Sequence, residues 1–243
     1  MESVVVTGAT GALGSSLLDQ LLARTRGIVV GTVRPSATEA QRSQLLARSP
    51  ERVRLVEIDH ENPQSAHAAV EAVAPYVSCV EMLINCAAVN VAASFPRSAA
   101  KGPFEALDAE ALVEMFRVNA TGALSAIQAF TPLLERAQRP WVVNVSTERA
   151  SLTRAVATGS VGYAVSKAAL NMLTRKLAAE RGPGGWRVVA VHPGWFRSPI
   201  GGANAPLEPA AAAARLLESL DTLPVEVTGS GGFVDLDGTS IPW

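Results

Sequence analysis

Close to its start the chain passes from a short β-branched run, residues 3–7, straight into Gly8-Ala9-Thr10-Gly11-Ala12-Leu13-Gly14. Leu17, Leu18, Leu21 and Leu22 follow at the spacing of one helix face. The first run has the composition of a buried strand. Strand, glycine-rich turn and helix in that order leave few folds open. Such a turn brings backbone N–H groups and the positive end of a helix against a pyrophosphate, and glycine lets the backbone come close. Gly8, Thr10, Gly11, Ala12, Leu13 and Gly14 are therefore candidate cofactor-binding residues. The same turn can serve packing alone, so the rest of the chain has to decide.

The alternation continues. Buried-strand runs are expected at 28–33, 53–58, 80–84, 141–145, 188–191 and 232–235. Helices are expected at 37–48, 63–74, from a cap at Asp108 to about Arg136, from Tyr163 to about Arg181, and at 210–220. Strands alternating with helices predict a parallel sheet of about seven strands with helices on both faces, and ligands bind beyond the carboxyl ends of such strands. The chain has 243 residues, which suits one α/β domain over 1–243 with a full core. Residues 89–107, with Phe95, Pro96, Lys101, Gly102, Pro103 and Phe104, read as an irregular connection forming one wall of a substrate cleft.

A formal net charge of −1 gives no electrostatic footprint for nucleic acid or an anionic membrane. Cys79 and Cys86 lie in or beside an apolar run, which fits reduced thiols, and they have no metal-ligand spacing with His60, His67 or His192. Neither a signal segment nor a membrane span is readable, so a soluble, cytoplasmic protein is expected.

Residues that carry chemistry fall just after the strands. About twenty residues past the glycines, where an acid would hold the ribose 2′-hydroxyl of NAD, stands Arg34. Its planar fork suits a 2′-phosphate, which favours NADP, as NADPH, over NADH; a solvated loop arginine is the alternative. Asp59-His60 ends the third strand, where the acid either touches adenine or caps the next helix. Asn85-Cys86-Ala87-Ala88 ends the fourth, its small residues allowing a cofactor close to the sheet edge. Asn119 sits mid-helix, which is unfavourable unless it bends the helix or holds water. Tyr163 and Lys167, four apart, share a helix face. The ammonium favours the phenolate and should pull the tyrosine pKa below its usual value of roughly 10. Taken alone the pair could be a surface tyrosine beside a solvated lysine.

Six pieces in order, Thr7-Gly8-x5-Gly14, Asn85-Cys86-Ala87-Ala88, Asn119, Asn144-Val145-Ser146-Thr147, Tyr163-x3-Lys167 and Pro193-Gly194-x-Phe196-x-Ser198, resemble the short-chain dehydrogenase/reductase family over essentially the whole length. His192-Pro193-Gly194-Trp195 and the ending Gly232-Phe233-x-Asp235-x-Asp237-Gly238-x3-Pro242-Trp243 are most similar to the C-factor and sniffer-type carbonyl reductases of that family. The resemblance implies a Rossmann-type doubly wound sheet and reduction of a small-molecule ketone or aldehyde by NADPH. It implies Tyr163 as proton donor, Lys167 on the nicotinamide ribose and against the tyrosine, and Asn119 holding a water. Thr147 would bind the substrate oxygen, with Ser146 as the alternative if the register slips by one. Pro193, Gly194, Phe196 and Ser198 would hold the nicotinamide end, the backbone at Phe196 gripping the carboxamide. Three further alternatives stay open: a biosynthetic alcohol dehydrogenase running the other way, a non-catalytic dinucleotide-binding signalling protein, and a monomer against a homodimer or homotetramer.

Overall fold

The computed structural model describes residues 3–91, 108–154 and 160–243. Of the expected cleft wall at 89–107, residues 92–107, with Phe95 and Phe104, lie outside them.

Seven strands form one sheet: β1 (Ser3–Val6), β2 (Ile28–Val33), β3 (Val53–Glu57), β4 (Met82–Asn85), β5 (Trp141–Val145), β6 (Arg187–Val191) and β7 (Gly232–Val234). Their order is β3-β2-β1-β4-β5-β6-β7 and every pairing is parallel. The order reverses between β1 and β4, so the crevice expected of a doubly wound sheet opens beyond their carboxyl ends.

Side chains alternate along these strands and divide the core into two layers. Val4, Val6, Ile84, Val143, Val145, Val189 and Val191 pack with Leu13, Leu17, Leu18 and Leu21 of α1 (Ala12–Arg24) and with Leu216 and Leu220 of α7 (Pro209–Thr222). Val5, Leu83, Val142 and Val188 face the opposite way. They meet Ala66 and Val73 of α3 (Gln64–Val73) and Ile127, Phe130 and Leu134 of α5 (Gly122–Leu134). Each fully buried leucine or phenylalanine contributes about 1.5–3 kcal/mol of transfer free energy, which is why runs apolar on both faces become central strands.

Between β2 and β3, α2 (Glu39–Leu46) starts with a reciprocal cap: Gln41 N donates to Thr38 Oγ1 at 3.3 Å and Thr38 N to Gln41 Oε1 at 3.0 Å. The long helix expected after Asp108 is two helices with a widened turn between them. Asp108 caps α4 (Ala109–Phe116), residues Arg117–Thr121 form a π turn, and α5 continues. Asn119 sits inside the π turn. Helix α6 (Val161–Arg181) carries Tyr163 and Lys167, and a 3₁₀ turn at Gly182–Gly184 ends it. A short helix, α8 (Val225–Gly229), precedes β7 and has no counterpart in the expected elements. Among the described residues no helix is long and apolar enough to cross a membrane.

Candidate active site

The turn after β1 is locked to the end of β4. Thr7 Oγ1 accepts hydrogen bonds from Cys86 N and Ala87 N, both at 3.0 Å. Gly8 has φ +71°, and a Cβ there would stand 2.8 Å from Ala87 Cα. A Cβ on Gly14 would meet Gly8 O at 2.3 Å. Only glycine permits this crossing of backbones. Helix α1 then begins at Gly11, which offers no side-chain cap, and no acidic residue stands in its first turn. An uncapped helix end at the sheet's switch point fits the pyrophosphate of a dinucleotide.

Further out along the cofactor edge, Arg34 is exposed beyond β2. Its carbonyl accepts from Arg42 Nη2 at 3.4 Å, and the same guanidinium pairs with Glu57 at 2.8 Å. Asp59 Oδ1 accepts from Glu61 N at 2.9 Å, while the residue that opens α3 is Pro63, so Asp59 caps a local turn and not the next helix. His60 packs against the start of α5, where a Cβ on Gly122 would lie 2.4 Å from its Nδ1, and that nitrogen is buried without a partner. Burial lowers the His60 pKa, with Asp59 opposing.

At the centre, the ends of β4 and β5 and helix α6 are joined by side chains. Asn85 Nδ2 donates to Asn144 Oδ1 at 2.8 Å, and Asn144 Nδ2 to Thr174 Oγ1 at 2.9 Å. Asn85 is thus a buried cross-link inside the sheet, with its Oδ1 unpartnered, and its side chain is not open to the crevice. The cross-linking roles of Asn144, which the sequence marks only as part of a motif, and of Thr174 escape a reading of the sequence because their partners lie 59 and 30 residues away.

Asn119 donates to Val89 O at 2.9 Å and to Ser166 Oγ at 3.0 Å, and its Oδ1 accepts from Val89 N at 2.8 Å. Both amide hydrogens are therefore committed to protein partners, which leaves a single acceptor position on Oδ1 for a water.

Beyond β5 two neighbouring hydroxyls differ. Ser146 Oγ donates to Asn171 Oδ1 at 2.6 Å, deep in the core. Thr147 caps the 3₁₀ turn Glu148–Ala150, its Oγ1 accepting from Arg149 N at 3.4 Å.

Lys167 is buried, and its Nζ donates to Val145 O at 2.7 Å and lies 6.0 Å from the centroid of the Tyr163 ring. Burial lowers its pKa to about 8, with Cys86 acting the other way. Burial also raises the Cys86 thiol to about 12, opposed by Lys167. The sequence marks Cys86 as a reduced thiol and as part of the small-residue end of β4, but not as the electrostatic neighbour of Lys167. The expected depression of the Tyr163 pKa by Lys167 is reversed: burial pushes the phenol up, Cys86 adds to the rise and Arg149 opposes it. The reason is desolvation, which outweighs the Arg149 guanidinium, while the Lys167 ammonium is turned toward the Val145 carbonyl.

After β6, Gly194 has φ +71° and Pro193 is buried. Phe196 pairs with Leu207 through a parallel bridge and packs on the core beneath α7. Ser198 Oγ accepts from Gly201 N at 2.9 Å, closing a tight turn. Trp195 is exposed, its Nε1 donating to Gly201 O at 2.7 Å.

A doubly wound parallel sheet, a glycine crossing at its switch point and a tyrosine–lysine helix beside it define a dinucleotide-dependent oxidoreductase. The description "short chain dehydrogenase" matches residues 2–207, and the chain belongs to the short-chain dehydrogenase/reductase family. The chain is 30% identical to the short-chain dehydrogenase srdF of Neurospora crassa, over 99% of this chain and 97% of that one. It is 34% identical to the C-signal protein of Myxococcus xanthus over 54% of this chain and 78% of that one. The NADPH-bound carbonyl reductase from chicken fatty liver superposes with a TM-score of 0.88 at 26% identity, covering 100% of this chain and 99% of that one. The carbonyl reductase Sniffer of D. melanogaster shares the fold with a TM-score of 0.87 at 24% identity, covering 100% of both chains.

Proposed function

We propose that this enzyme reduces a ketone or aldehyde with NADPH, Tyr163 delivering the proton to the carbonyl oxygen. The observation that carries the reading is the contrast between Ser146 and Thr147. Ser146 spends its hydrogen on Asn171. Thr147 accepts from Arg149 N and so keeps its own hydrogen for a substrate oxygen.

A bound nicotinamide dinucleotide would supply the hydride. The chain's own residues do the rest. The turn from Gly8 to Gly14, with Thr10, Gly11, Ala12 and Leu13, would hold the pyrophosphate, and the carbonyl end of β4 at Asn85 and Ala87 would border the cofactor. Asp59 and His60 stand on the adenine side, and Pro193, Gly194, Phe196 and Ser198 on the nicotinamide side. The Tyr163 phenol carries its proton at neutral pH, and because burial raises its pKa the release of that proton calls for the neighbouring Lys167 cation. Thr147 stabilises the negative charge growing on the same oxygen. Lys167, held by Val145 O, supplies a fixed cation beside the phenol as its proton leaves. Arg34, steadied by Arg42, gives the cofactor edge a guanidinium suited to a 2′-phosphate.

The test is NADPH consumption against a panel of aliphatic and aromatic ketones and aldehydes, run beside a cofactor-binding titration. Turnover of at least one carbonyl, faster with NADPH than with NADH, supports the reading. A second reading, a dinucleotide-binding signalling protein, takes its support from the likeness to C-signal. Tight binding with no turnover of any carbonyl or alcohol would favour it.

A further inference from the structure

Beyond β7 the chain doubles back. Asp235 Oδ1 accepts from Asp237 N and Thr239 N, both at 2.9 Å, and Gly238 takes φ +74°. Val234 and Ser240 then form an antiparallel bridge, and Ile241 N donates to Phe233 O at 2.7 Å. This hairpin delivers Pro242 and Trp243 to the segment that follows Thr147.

That segment, 148–154, packs its 3₁₀ turn Glu148–Ala150 on α6, and its hydrogen bonds tie it elsewhere. The β5 ladder ends with Ser146 N donating to Val191 O at 2.8 Å. Among the described residues, every hydrogen bond that leaves 148–154 for a distant part of the chain ends on the hairpin's arm. The buried Ser151 donates from Oγ to Pro242 O at 2.5 Å. Thr153 donates to Trp243 O from N at 3.0 Å and from Oγ1 at 2.5 Å. Ser151 Oγ also accepts from Arg154 N at 3.1 Å, so one hydroxyl joins the arm to the segment's own turn.

The Trp243 ring reaches two other elements. It stacks on Phe233 of β7 with centroids 5.4 Å apart and planes inclined by 26°. The Arg175 guanidinium of α6 lies 5.5 Å from its centroid. Ala150 and Leu152 of the segment and Ala168 and Met172 of α6 line one groove with Trp243. Trp243 therefore holds the segment that begins at Thr147 through its carbonyl oxygen and meets the helix that carries Tyr163 through its ring.

We propose that Trp243 and Pro242 form a strap that sets the position of Thr147 relative to Tyr163, which makes Trp243 a positioning residue. The consequence for turnover rests on the carbonyl-reductase reading. A substrate oxygen must lie within hydrogen-bond reach of both hydroxyls at once, and displacements of about 1 Å in such arrangements cost up to a hundredfold in rate. The strap acts on the catalytic step, since the cofactor cradle at β1 and β4 shares none of its contacts.

The test compares wild type with Trp243→Ala, Trp243→Phe and Ser151→Ala, reading kcat at saturating carbonyl and NADPH, the NADPH dissociation constant, and amide exchange at Thr153 and Arg154. Trp243→Ala and Ser151→Ala should lower kcat by roughly tenfold to a hundredfold while NADPH binding changes by less than about twofold. Exchange at Thr153 and Arg154 should accelerate in both. Trp243→Phe keeps an aromatic stack on Phe233 and should retain most of the rate. A wild-type kcat in Trp243→Ala, or a fall in NADPH affinity parallel to kcat, overturns the strap and leaves the reductase reading standing. If wild type turns over no carbonyl, the reductase reading fails and exchange alone decides the strap: unchanged protection in Trp243→Ala refutes it.

Discussion

The Asn119 side chain donates to Ser166 Oγ at 3.0 Å, joining a π turn to the helix that carries the candidate proton donor. Ser166 Oγ in turn donates to Tyr163 O at 2.8 Å, so Asn119 acts one hydrogen bond away from the Tyr163 backbone. Replacing Asn119 by Leu leaves the half-buried Val89 N and Val89 O without their partner, while Ser166 Oγ loses its donor and keeps its bond to Tyr163 O. Each lost partner costs about 1–3 kcal/mol when no water replaces it. Asn119→Leu should therefore lower both the melting temperature and kcat. Denaturant unfolding checks it: a residue that only held a water would change the rate and leave stability alone.

Lys167 should be a liability for stability. Burial holds its folded pKa near 8, below its unfolded value of 10.5. Between those values the unfolded chain binds more protons, so stability rises with pH across that window and the cost is complete below it. Lys167→Met should abolish turnover and yet raise stability at pH 7 by about 1–3 kcal/mol, in the range seen when buried charges give way to apolar groups. The difference from wild type should narrow from about pH 8 to pH 10.5. Melting curves across that range measure it.

Arg34→Ala should raise the NADPH dissociation constant about tenfold or more, the value of a charge-assisted hydrogen bond, and leave NADH binding unchanged. Titration with both cofactors decides this, and an equal loss for both would remove the 2′-phosphate assignment.

Thr147→Ala should cost about a hundredfold to a thousandfold in kcat, as for loss of an oxyanion donor, while Thr147→Ser keeps the hydroxyl and most of the rate. Ser146→Ala should act through stability, because its hydroxyl serves Asn171. Rates and melting temperatures of the three variants separate these roles.

Strands β2 and β5 fall on the residues that their β-branched, apolar runs marked, because a strand buried on both faces writes its whole length as apolar composition. The glycine crossing was equally legible, since Gly8 and Gly14 meet backbone and admit no side chain. Helix α8 was not: five residues show no periodicity. The roles of Asn85, Asn119 and Ser146 were only half legible. Composition marks a polar residue at a strand end or in mid-helix, but its partner, Asn144, Val89 or Asn171, is fixed by packing distant in sequence. The direction of the Tyr163 shift could not be read either, because it depends on burial, which four residues of spacing to Lys167 do not encode.

The central claim is that Tyr163 gives up the proton. Single-turnover oxidation of bound NADPH by an accepted carbonyl, comparing wild type with Tyr163→Phe, tests it most directly. The account predicts loss of at least about a hundredfold in the rate, the lower end of what a positioned acid contributes, with NADPH affinity nearly intact. A Tyr163→Phe variant that oxidises NADPH at the wild-type rate would contradict it.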